Sequence, residues 1–135
     1  MSDPLTTQYA VLAERRLHFG RMYWQNIGLH VAGLLAAAAI FRNLTGTPLA
    51  IALGIAGLAT LLMAFIASRL RKLEVEYEGL LANIEAAWRA GGDTHVQLSP
   101  VSGRYGARFA VNLALAVGGV VLILLGLLLA LKGGA

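Results

Sequence analysis

The chain has 135 residues, 58% of them hydrophobic and 13% charged, with a mean hydropathy of +0.70. An ordinary soluble domain carries about 25% charge, so this composition excludes one and points to a bilayer. The net charge of +4 and pI near 10.0 do not imply nucleic acid, because the cations flank apolar segments instead of interleaving with aromatics, and the lack of cysteine removes disulfides, thiolate metal sites and redox dyads.

Ser2 and Asp3 can cap a helix that Pro4 begins, and Leu5, Tyr9 and Leu12 recur at helical spacing. This predicts an amphipathic helix over about 4–20 lying at a membrane surface, with a break at Gly20. Residues 1–21 thus form an N-terminal unit. The polar start MSDPLTTQ does not resemble a cleaved leader, so the first apolar run is expected to stay as an anchor. That run spans about 22–42, with Tyr23 and Trp24 where an interfacial aromatic belt belongs.

The stretch Asn43 to Pro48 is turn chemistry, short enough to force an antiparallel hairpin with a second span over about 48–68. Past Arg69 the apolar pattern continues through Leu70, Leu73, Tyr77, Leu80, Ile84 and Ala87, widened by Leu81 and Trp88. The second span therefore extends out of the bilayer to about residue 90, where Gly91 and Gly92 end it, projecting on the order of 30 Å. Residues 69–107 comprise this extension and a loop, and residues 108–135 a third span with a short tail. The fold class is all-α: three transmembrane helices, an N-terminal amphipathic helix and a cytoplasmic extension of the second transmembrane helix.

Charge gives this arrangement a direction. All the acids and every Lys and Arg except Arg42 and Lys132 fall on one side of the three spans. The positive-inside rule then puts the N-terminus in the cytoplasm and the C-terminus outside. Arg21, Arg69, Arg104 and Arg108 stand at span ends, where anionic lipid headgroups are their expected counter-charge. Alanine- and glycine-rich spans fit a bacterial inner membrane, with a periplasmic C-terminus.

Each span also carries small or weakly polar residues at helical spacing: Asn26, His30, Gly33 and Ala37 in the first, Ala50, Gly54, Gly57, Ala64 and Ala67 in the second, Asn112, Ala116, Gly119 and Gly126 in the third. Close approach through small residues is a main source of helix association in lipid, so these lines predict tight interfaces within the chain or with another protein.

Residues that could carry chemistry are few. His30 is the one ionisable side chain deep in a span, so the intramembrane polar set Asn26, His30 and Asn112 is a candidate pore lining. The structural explanation is a neutral imidazole bonded to Asn26 or to a neighbouring helix. No span contains Asp or Glu, which argues against an ion-coupled transporter. Asp93 and His95 lack further ligands at metal-site spacing, and no nucleophile elbow, phosphate loop or HExxH motif occurs. No enzymatic activity, metal or cofactor is expected.

Glu74, Glu76 and Glu78 read as a solvated face making local pairs with Arg71 and Lys72. The seam of Leu73, Tyr77, Leu80, Ile84 and Trp88 opposite them needs cover from helix 4–20, a second copy or a partner. The expected function is a small membrane subunit that docks into a homo-oligomer or a larger complex, in contact with lipids. The alternative is a homo-oligomeric pore lined by the Asn26, His30 and Gly33 face, which lacks polar lining beyond Ala36.

Overall fold

The computed structural model describes residues 4–92 and 106–133 and contains three helices: α1 (Pro4–Phe41), α2 (Gly46–Ala90) and α3 (Ala107–Gly133). Proline occurs in these helices only in first turns, at Pro4 and Pro48, where a missing N–H costs nothing. At 1.5 Å per residue, α1 and α2 run about 57 and 68 Å, well beyond the ~30 Å hydrocarbon core of a membrane. All three are long and apolar enough to cross a bilayer, and the chain is a multi-pass membrane protein by this measure.

The expected break at Gly20 is absent, because α1 runs unbroken from Pro4 to Phe41. The glycine serves packing instead: a Cβ there would stand 3.3 Å from Glu74 Oε1 on α2 and 3.6 Å from Arg108 Nη2 on α3. The turn after α1 is short, with the Asn43 N–H donating to the Ile40 carbonyl at 3.1 Å and the Leu44 N–H to that of Phe41 at 2.9 Å. Gly46 begins α2 with φ of +58°, a conformation costly for a side chain. Beyond Ala90 the Gly91 N–H bonds the Ala87 carbonyl and Gly92 turns to φ +97°, ending the helix at the glycine pair. Of the segment read as a returning loop, 93–105 lies outside the described residues.

Successive helices run in opposite directions. His30 meets Thr60, Arg16 meets Glu78 and Tyr9 meets Glu85, so α1 and α2 are antiparallel. Gly126 meets Ala50, Gly119 meets Gly57 and Arg108 meets Glu74, so α2 and α3 are antiparallel too. Helix α2 is the central element. The main core cluster is Tyr23, Ile27, Met63, Ala67 and Leu70, with Phe19, Met22, Val111 and Leu115 packed against it, so all three helices converge at the level where the charged residues begin. Beyond that level α1 and α2 continue as a pair.

The α2–α3 contact is closed down to the backbone. A Cβ on Gly57 would stand 2.7 Å from the Gly119 carbonyl oxygen and 2.6 Å from Ile123 Cγ1, and one on Gly126 would stand 2.7 Å from the Ala50 carbonyl oxygen. These separations have no room for a methyl group, which is what small-residue packing in lipid requires.

Candidate functional site

Where the three helices converge, Tyr23 of α1 is fully buried and holds the other two together. Its hydroxyl lies 2.9 Å from Asn112 Oδ1 and 3.2 Å from the Arg108 carbonyl oxygen, both on α3. The Arg108 guanidinium lies over the Tyr23 ring, 5.4 Å from its centroid, and forms an ion pair with Glu74 of α2. The group is therefore a closed circuit of charge, ring and hydroxyl, with Gly20 making room for it.

Two further contacts extend this circuit along the α1–α2 pair. Arg16 Nη2 donates to Glu78 Oε1 at 2.8 Å, and the Tyr9 hydroxyl donates to Glu85 Oε1 at 2.8 Å. Glu74, Glu78 and Glu85 are all buried, at 5%, 5% and 2% relative exposure. They stand in one line with Ala67, Leu70 and Leu81, at intervals of three and four residues. A solvated glutamate face is thus incorrect for Glu74 and Glu78, because each lies on the buried stripe of α2 and pairs with an arginine of another helix. Rings fill the gaps between acids: Phe19 stacks on Tyr77 at 5.5 Å and Tyr9 lies 5.1 Å from Trp88.

Of the seam residues, Ile84 is buried and Tyr77 and Trp88 contact α1, whereas Leu73 and Leu80 remain exposed on the outside of α2. Helix α1 supplies cover for Tyr77 and Trp88. Of the span-end arginines, Arg21 and Arg69 are exposed, with Arg69 over the Phe65 ring at 5.8 Å, and Arg108 turns inward to Glu74. Arg104 lies outside the described residues.

The intramembrane polar residues do not come together. Asn112 belongs to the Tyr23 circuit, while His30 reaches Thr60 of α2, with Nε2 3.1 Å from Oγ1. The Thr60 hydroxyl donates to the Ala56 carbonyl at 2.8 Å, so its oxygen accepts at His30 and Nε2 carries the proton. His30 and Gly33 line a groove of about 470 Å³ between α1 and α2, together with Ala37, Ala52 and Ala56. Asn26 lines a different hollow, beside Met22 and Gln25.

Tyr23, Thr60 and the buried glutamates are inter-helix contact positions that the sequence did not single out. Thr60 had a signal, as the one hydroxyl in the middle of the second span. The glutamates had one too, since 74, 78, 81 and 85 keep the helical interval if acids are allowed on a buried stripe. Among the described residues no three His, Asp or Glu gather as metal ligands, and Asp93 and His95 lie outside them. No family model, curated protein or solved structure matches this chain.

Proposed function

We propose that the chain is a non-enzymatic docking subunit of a bacterial inner membrane, inserted with its N-terminus in the cytoplasm and its C-terminus in the periplasm. It joins a homo-oligomer or a larger membrane complex. One observation carries this reading: small residues on the two sides of α2 are used differently. Towards α3, Gly57, Gly119 and Gly126 are in backbone contact, whereas Gly33 on α1 has nothing within 4 Å of a built Cβ and opens onto the α1–α2 groove. Small residues promote association in lipid only where another backbone approaches them, and for Gly33 and Ala37 that backbone is supplied by a second chain. The exposed Leu73 and Leu80, one heptad apart on the extension of α2, add an apolar strip facing the same need in water. In this reading, residues 4–20 are the amphipathic part of α1, packed along the extension of α2 through Tyr9 and Arg16.

The absence of cysteine makes the test clean. Gly33→Cys and Leu127→Cys variants, treated with a short bismaleimide in native membranes, are expected to give a discrete adduct from Gly33 and none from Leu127, which lies exposed on α3. Monomer at both positions, or equal crosslinking from both, overturns the docking reading. A pore lined by Asn26, His30 and Gly33 is less supported, since His30 already spends Nε2 on Thr60 and Asn26 faces another hollow. Ion flux from liposomes that disappears with His30→Ala would replace docking with the pore.

A further inference from the structure

Six residues of α1 keep alternating intervals of four and three along the first span: Met22, Asn26, Leu29, Gly33, Ala36 and Ile40. That is the spacing of a heptad seam, with Asn26, Gly33 and Ile40 at one repeating position and Met22, Leu29 and Ala36 at the other. Leu29, Gly33, Ala36 and Ile40 are exposed, Leu29 at 73% and Ile40 at 64%, and Met22 and Asn26 are half-buried. Leu29 lines both the α1–α2 groove and the hollow beside Met22 and Asn26, so the strip is continuous along this flank of the helix. The Asn26 side chain makes no hydrogen bond among the described residues, and an amide without partners is costly in an apolar medium. Below Met22 the same spacing meets Phe19, which stacks on Tyr77, and then the charged Arg15, so the strip is confined to the span.

We infer that this flank of α1 pairs with the same flank of a second copy of the chain, in parallel, with the two Asn26 amides hydrogen-bonded across the two-fold axis. Two copies inserted the same way hold Asn26 at equal depth, and an amide both donates and accepts, so the residue is complementary to itself. A single asparagine at this seam position fixes register and a two-stranded state, and amide bonds between helices add to association in lipid. Gly33, one heptad further on, has nothing within 4 Å of a built Cβ, which lets the two backbones approach. At the other end the two Arg15 side chains would face each other if the seam went on, and their repulsion parts the helices there. The inference rests on the docking reading and names its partner.

Single-cysteine variants of the full chain are oxidised with copper phenanthroline in native membranes, and the products are weighed by mass spectrometry. Met22→Cys, Leu29→Cys, Gly33→Cys and Ala36→Cys are expected to give a product of twice the chain mass. Val31→Cys and Leu35→Cys, exposed on the other flank of α1, are expected to stay monomeric. In liposomes, Förster transfer between copies labelled at Thr45→Cys gives the dimer dissociation constant, which is expected to rise roughly tenfold for Asn26→Leu and to recover in Asn26→Gln. Asn26 lies outside the core cluster, so neither substitution threatens the fold. A Gly33→Cys product of any other mass overturns the second copy and leaves the docking reading standing with a different partner, whereas monomer at every position overturns both. Crosslinking on both flanks alike, or a dissociation constant indifferent to Asn26→Leu, also overturns the inference.

Discussion

Tyr23 contributes to this structure both by burial and by hydrogen bonding. Its ring joins the core cluster while its hydroxyl reaches two acceptors on α3. Tyr23→Phe keeps the ring but leaves Asn112 Oδ1 without its donor, an expected loss of about 1–3 kcal/mol in denaturant unfolding of the detergent-solubilised protein. Glu74→Ala acts on the same circuit from the other side. It strands the Arg108 guanidinium, which costs about 3–5 kcal/mol when fully buried, but Arg108 keeps 28% side-chain exposure and water recovers part of that. A loss of about 2 kcal/mol is expected, and Glu74→Gln should recover some of it by retaining a hydrogen-bond acceptor.

At the scale of helices, the two interfaces of α2 use different chemistry. Against α3 it relies on glycine, against the first half of α1 on buried acids paired with Arg16 and Tyr9. The acids set register, since a slide of one turn would separate Glu78 from Arg16 and Glu85 from Tyr9 together and leave buried carboxylates unpaired. The glycine interface predicts an asymmetry. Gly57→Ala must push the α3 backbone away and is expected to destabilise by about 1–3 kcal/mol, whereas Gly33→Ala enters open space and should leave the unfolding midpoint of the isolated chain unchanged or slightly raised. Circular dichroism of both variants during thermal unfolding checks the contrast. If docking occurs at the groove, Ala37→Leu added to the Gly33→Cys chain should abolish the crosslink while the fold survives.

For the whole molecule, the three helices divide the chain into a tightly joined α2–α3 half, a looser α1–α2 groove and a two-helix projection beyond the convergence of charges. The inserted direction is open to a direct test through single cysteines in the cysteine-free background. A membrane-impermeant maleimide added to intact cells should label Thr45→Cys in the turn between α1 and α2, and should label Ala90→Cys at the end of the projection only after the cells are opened. The reverse pattern would invert the orientation and place the projection outside.

Much of the fold was legible in the chain itself because it follows from local composition: apolar runs of spanning length, a short turn of Asn, Thr, Gly and Pro between them, a glycine pair after Ala90, and a one-sided distribution of charge. Those properties determined that the chain is all-helical, that it belongs in a membrane and that its second helix outlasts the bilayer. They did not decide which small residues meet a backbone, why Gly20 sits within a helix, or that Glu74, Glu78 and Glu85 point inward. A carboxylate is read as solvent-facing until its partner is known, and here the partners Arg108, Arg16 and Tyr9 stand 34, 62 and 76 residues away in sequence. Only the tertiary structure could decide these points, since the free energy of a buried charge is set by what lies opposite it and not by its neighbours along the chain.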